Sequence, residues 1–189
     1  RPGLMGALLV GLSFGKTLAW AAGKPFFAAN HILGHIYADH LVNDIEYPYL
    51  GLLVSGGHTI IAVVKGVGEL EILGTTIDDS VGEAFDKVAK FYDLGYPGGV
   101  LIDKLAKEGD PAAFSFPLPK IDKSGMRGQL SRDAADDGGV SSPHRYDMSF
   151  SGLKTAVIHQ ADLFLNPGYE KSIANIAASF QEAACKTLV

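Results

Sequence analysis

The apolar positions along the chain fall into two kinds of run, one with helical spacing and one short, aliphatic and β-branched, and they change over several times. Between Gly3 and Gly23 the chain is almost continuously apolar, broken by Lys16, with Leu4, Leu8, Gly11, Leu12, Gly15 and Leu18 near one face. That spacing predicts a buried helix over about Leu4 to Ala22, closed by Gly23. Pro25 to Ala29 reads as a short buried strand, and Asn30 as the N-cap of a helix running from about His31 to Val42. A polar turn through Asn43, Asp44 and Pro48 follows. Tyr49 to Val54 and Thr59 to Lys65 are aliphatic and β-branched runs on either side of Ser55-Gly56-Gly57-His58, which predicts a hairpin. A third strand over Glu69 to Thr75 extends it to an antiparallel meander.

Helical spacing returns at Val81, Phe85, Val88, Ala89 and Tyr92, predicting a helix within Asp78 to Tyr92 that opens on Asp and Ser. Gly95-Tyr96-Pro97-Gly98-Gly99 breaks it before a helix over Val100 to Lys107. Residues 109–148 turn to proline, glycine and charge, including RDAADDGG, and read as a loop-rich insertion or lid. A helix then opens at Ser149 and runs to about Phe164, and a final amphipathic helix covers Ser172 to Val189. The pattern as a whole is α/β without an internal repeat.

Composition narrows what such a chain does. With 189 residues and 47% apolar content it can bury a substantial core. A formal charge of −5 and a pI near 5.6 lack the basic footprint of a chain that binds nucleic acid unaided, so an RNA partner would meet a local patch or a partner subunit. The single cysteine, Cys185, excludes a disulfide framework or a Cys-based zinc knuckle within the chain. Lys16, the scattered glycines and the missing leader pattern argue against a signal or membrane segment at the start. The expected setting is the cytoplasm.

The candidate chemistry begins with His31 and His35. A separation of four puts both imidazoles on one helix face, one turn apart, which suits two ligands of one metal ion and equally suits two partly buried histidines. H-E-x-x-H zinc hydrolysis is disfavoured, because Ile32 stands where the general base would be. Asp39, His40 and Asp44 could supplement the pair, but His40, five residues on, points off the shared face, and all three are left out of the ligand set. Ser55-Gly56-Gly57-His58-Thr59 is either an ordinary hairpin turn or a backbone cradle for a phosphate or acyl group, with hydroxyls from Ser55 and Thr59. It is no P-loop. Asp78, Asp79, Glu83 and Asp86 suit an acidic first helical turn, although Asp86 among apolar neighbours could also hold a ribose hydroxyl. Gly98 and Gly99 would admit a nucleotide to the backbone, with Asp103 one turn further on.

Taken together, GLMGALLVGLSFGKTLA, NHILGHIYADH, LLVSGGHT, IDDSVGEAFDKVAK, YPGG, SFSGLKT and IAASFQEA resemble the TsaD/Gcp/Kae family, the tRNA N6-adenosine threonylcarbamoyltransferases, in order and spacing. The resemblance implies an actin-like ATPase fold of the ASKHA, ribonuclease H-like class, with the end of a first lobe over about 1–77 and the start of a second over about 78–189. It implies transfer of the threonylcarbamoyl group from threonylcarbamoyl-AMP to N6 of adenosine 37 in tRNAs reading codons that start with A. His31 and His35 fall on metal ligands, for Fe2+ or Zn2+, and an ATP- or ADP-type nucleotide is a further ligand of the family. Leu53, Val54, Ser55, Gly56 and Gly57 fall on the substrate segment, and Asp86, Gly99 and Asp103 on substrate-contacting positions.

Implied partners are tRNA, a TsaB-like paralogue and a TsaE-like ATPase, with no membrane. The family's third protein ligand, an Asp in a later segment, has no counterpart in these residues. The sequence therefore reads as a piece of a longer protein, with weak metal affinity and little transfer activity of its own. Another ASKHA ATPase or sugar kinase, or a non-catalytic scaffold paralogue, are the alternatives; the histidine pair speaks against both.

Overall fold

The computed structural model describes residues 5–119 and 146–189. Most of the predicted insertion, including RDAADDGG, lies outside the described residues.

The aliphatic and β-branched runs form the sheet. β1 (Tyr49–Val54), β2 (Thr59–Gly66) and β3 (Glu69–Thr75) make an antiparallel meander in the order β1-β2-β3. Register is set at the first turn, where Val54 pairs with Thr59 and Leu53 with Ile60. As the central strand, β2 is the most buried of the three, with Ala62 and Val64 fully enclosed. Irregularities between Ile61 and Ala62 and between Val64 and Gly66 shift its register against β3. Past β3 the sheet edge is extended by a parallel bridge between Thr76 and Met148, secured by Ile77 N–H to Met148 O (2.9 Å) and Met148 N–H to Thr75 O (2.9 Å).

The helical runs α3 (Val81–Phe91), α4 (Gly98–Ala106), α5 (Ser151–His159) and α6 (Ile173–Leu188) pack together and contain the core. Phe150, Leu153, Val88, Ile102 and Phe180 are fully enclosed there. Complete burial of one such side chain contributes about 1.5–3 kcal/mol. α4 approaches α3 so closely that a Cβ on Gly98 would lie 2.6 Å from Phe85 O, so only glycine fits. Part of the stretch read as loop is packed: Ala113, Phe114 and Phe116 join the core, and Gly109 would strike Ala174 O at 2.1 Å if it carried a Cβ. Proline and charge at 109–119 concealed those aromatic anchors.

Two expectations fail at the start. α1 (Met5–Ala21) forms as predicted but buries no residue; Trp20 is 84% and Phe14 71% exposed. Its apolar residues encircle the helix rather than marking one inward face, and no described element covers them. Pro25 to Ala29 is not a strand and is exposed, since no described strand pairs with it. No helix among the described residues is long and apolar enough to cross a membrane.

Asp78 and Asp79 fasten the helical layer together. Asp78 accepts from the N–H groups of Phe150 (2.9 Å) and Ser151 (3.2 Å) and from the Ser149 hydroxyl, supplying the start of α5 with an acceptor its own N-cap residue lacks. Asp79 sits between Lys87 and Lys154, both at 2.6 Å. Burial pushes the Asp79 carboxyl up, but the hydrogen bonds from Lys154 and Lys87 outweigh it and hold the group below its ordinary value of 3.8. A depressed folded-state value means that this carboxylate's contribution is present above pH 3.8 and is lost as pH falls through the lower folded value. Asp79→Asn is therefore expected to lower thermal stability at pH 7 and to flatten its decline below pH 4, read by melting curves across that range. A variant whose acid decline matched that of the parent would show that the network does not contribute.

Candidate metal and substrate site

Asn30 starts the histidine helix as the spacing predicts. Its side-chain oxygen accepts from Ile32 N (2.9 Å) and Leu33 N (3.1 Å), opening α2 (His31–Ile36). The α-helix is shorter than expected: at Tyr37 it tightens into a 3-10 turn over Ala38–Leu41. The two imidazoles still meet. Their Nε2 atoms face each other at 3.0 Å, with ring centroids 4.3 Å apart. Two adjacent nitrogens that share an ion at about 2.0–2.1 Å each, at an angle between right and tetrahedral, lie roughly 3 Å apart, so the donor set and its spacing suit a divalent metal. Among the described residues no third carboxylate, thiolate or imidazole converges with them closely enough to complete a three-ligand group.

The remaining side chains of this segment are otherwise engaged. His40 Nε2 lies 3.1 Å from the Tyr49 hydroxyl, and Asp39 accepts from Asn43 at 2.6 Å. Burial, then the neighbouring Tyr47, Tyr37 and Asp39, push the Tyr49 hydroxyl up, so it remains a protonated donor at neutral pH.

The glycine turn approaches the pair through His58, whose ring centroid is 5.7 Å from that of His31. Ser55 N–H donates to His58 O (2.8 Å), and Ser55 Oγ accepts from His58 N–H (3.0 Å), closing the turn. Neither Gly56 nor Gly57 has a positive φ, and a Cβ on either would meet nothing within 4 Å among the described residues. Neither backbone strain nor internal packing therefore calls for glycine here, and the absent side chains leave an open approach to the backbone. The hydroxyls do something other than the sequence suggests: Ser55 Oγ is spent within the turn, and Thr59 is buried, with Oγ1 accepting from Val81 N–H (3.0 Å). Leu53 is half-buried and Val54 exposed at the end of β1.

Residues not singled out from the sequence build the turn's support. Ser80, the N-cap of α3, donates to Gly56 O at 2.8 Å and accepts from Glu83 N–H at 3.3 Å. A Cβ on Gly82 would lie 2.7 Å from Gly56 Cα and 2.7 Å from Ser55 O. The positive end of α3 is thereby seated against the glycine turn, where an anionic group would be favoured. The signal available in the sequence was the helix-breaking Gly82 just inside a helix start.

Further along α3, Asp86 Oδ1 accepts from Gly98 N–H at 2.7 Å, and its carboxylate lines an open depression of about 320 Å3 with Lys90, Gly95 and Tyr96. The two glycines of the YPGG block separate in role: Gly98 is closed in by α3, whereas a Cβ on Gly99 would meet nothing within 4 Å among the described residues. Asp103 is engaged by other side chains, accepting from Gln181 of α6 (3.2 Å) and pairing with Lys107 (2.8 Å), whose hydrogen bond lowers its carboxyl's pKa.

Comparison with known proteins gives this arrangement a family. The family model TsaD, tRNA N6-adenosine threonylcarbamoyltransferase, matches residues 1–189. A tRNA N6-adenosine threonylcarbamoyltransferase of Treponema denticola is 61% identical over 189 residues, which is all of this chain and 51% of that relative. Relatives of the same name from Treponema pallidum and Brachyspira hyodysenteriae are 52% and 47% identical over the whole chain, which covers 48% and 50% of them. The chain thus spans about half the length of these relatives. On a match over its whole length, the chain belongs to the TsaD family of tRNA N6-adenosine threonylcarbamoyltransferases.

Proposed function

We propose that this chain contributes the metal-binding and acyl-binding part of an enzyme that transfers the threonylcarbamoyl group from threonylcarbamoyl-AMP to N6 of adenosine 37 in tRNA. The observation that carries the reading is the facing pair of Nε2 atoms, 3.0 Å apart, beside an open glycine turn. His31 and His35 would hold Fe2+ or Zn2+, both of which accept imidazole. When bound, the ion supplies Lewis-acid polarisation of the transferred carbonyl.

The chain's own groups would bind and orient. In the transfer, the N6 nitrogen bonds to the carbamoyl carbon, the bond from that carbon to the phosphate oxygen breaks, AMP leaves, and N6 gives up one proton. Gly56 and Gly57 would admit the acyl phosphate to the backbone, next to the positive end of α3. Asp86, with one carboxylate oxygen on Gly98 N–H, would take a ribose hydroxyl with the other, and Gly99 would leave room for the nucleoside. Asp103 would act from the edge of that region. In this reading the family's actin-like fold changes lobes near Ile77 and Asp78, and the acidic chain relies on partner subunits to hold tRNA.

The test is incorporation of labelled threonine into tRNA by the intact gene product with its partner proteins. Incorporation that stops when tRNA lacks the target adenosine supports the reading. ATP turnover without any incorporation would instead assign the chain to an ATPase or kinase of the same fold class.

A further inference from the structure

The His31–Ile36 helix has a weakness that bears on its histidines. It is six residues long and none of them is buried, whereas isolated helices shorter than about 12 residues are marginal in water. Asn30 caps the helix but ties it only to itself. Something else must fix where the two imidazoles stand.

Tyr37, at the junction of α2 and the 3-10 turn, supplies the attachment. Its hydroxyl donates to Gly66 O at 2.8 Å and accepts from Gly68 N–H at 2.9 Å, so one side chain holds a carbonyl and an amide of the β2–β3 turn. Gly68 lies at φ 81, which gives that turn a defined shape for the hydroxyl to meet. A weaker contact accompanies it, in which Tyr49 OH donates to Ile36 O at 3.4 Å. We infer that Tyr37 is a positioning residue for the histidine pair, its hydroxyl fastening the helix to the sheet so that both Nε2 atoms point at one place. The inference rests on the proposed metal site.

Ligands displaced by even about 1 Å bind poorly, and partners one step removed from a metal typically change its affinity about 10–100-fold. Tyr37→Phe keeps the ring and removes only the hydroxyl. Titrating the metal-stripped intact gene product with Co2+, followed by visible absorption, is expected to show about tenfold weaker binding and altered bands for Tyr37→Phe. A purely structural loss would reduce the number of sites per chain and leave the affinity and bands of the folded fraction unchanged. If Tyr37→Phe folds poorly by circular dichroism, Tyr49→Phe, which removes the second tether, is expected to weaken Co2+ in the same direction. His31→Ala serves as the reference. Parent-like Co2+ affinity in both tyrosine variants, with binding lost in His31→Ala, would overturn the positioning role and leave the metal site standing. Undiminished binding in His31→Ala would overturn the metal site and the role of Tyr37 with it.

Discussion

Replacing His35 with alanine is expected to lower the metal affinity of the intact gene product by more than about 100-fold, because even groups one step removed from a metal cost about 10–100-fold, and to take transfer activity down with it. The side chain is exposed and, among the described residues, meets His31 Nε2 and no part of the core, so its removal leaves the core untouched. Stability should therefore hold while binding collapses. Metal content by elemental analysis, beside a melting curve, separates the two. Retained metal in His35→Ala would mean that the Nε2 pair is two histidines sharing a hydrogen bond. A fall in melting temperature that matched the fall in binding would mean that the helix matters for folding instead.

Gly82→Ala is expected to damage both fold and function, whereas Gly99→Ala spares the fold. Alanine gains about 1 kcal/mol over glycine in a helix, which favours both changes. At Gly82 that gain meets backbone on two sides, with Gly56 Cα and Ser55 O each 2.7 Å from the new carbon. Neither neighbour is the end of a flexible side chain, and overpacking of this kind typically costs about 1–3 kcal/mol. The clash therefore prevails, and the glycine turn has to move away from α3. A shift of about 1 Å at a site that positions a reacting group can cost about 100-fold in rate, so activity should fall further than stability. A methyl group at Gly99 would meet nothing within 4 Å among the described residues, so it would be felt chiefly by an approaching ligand. Melting curves and transfer rates on the pair would show a drop in both for Gly82→Ala, and parent-like melting with reduced transfer for Gly99→Ala. Equal behaviour of the two would contradict the separation of packing glycine from ligand glycine.

Local chemistry was legible wherever a residue acts on its own element. Short aliphatic and β-branched runs mark β1 to β3 nearly to the residue, and Asn30, Ser80 and Ser172 mark helix starts that their side chains cap. What stayed hidden depends on a partner far along the chain. Asp78 reads as an acidic first turn, yet it serves α5, 72 residues on. Thr59 reads as a hydroxyl of the turn, but the N–H of Val81 draws it inward. The apolar run of α1 reports that its residues prefer cover without saying what covers them, so a buried helix was expected and an exposed one is found. At the site, spacing brings His31 and His35 together, whereas the approach of His58 follows from tertiary packing that no local pattern encodes, and the seating of Gly82 under the turn leaves only a glycine just inside a helix start as its trace.

The most direct measurement is the return of transfer on restoring metal. Intact gene product stripped of metal, supplied with threonylcarbamoyl-AMP and tRNA and then titrated with Fe2+ or Zn2+, should regain formation of the modified adenosine in proportion to the metal bound. His31→Ala should not recover under the same titration. Full transfer by the stripped parent, or full recovery by His31→Ala, would contradict a metal-assisted role for this histidine pair.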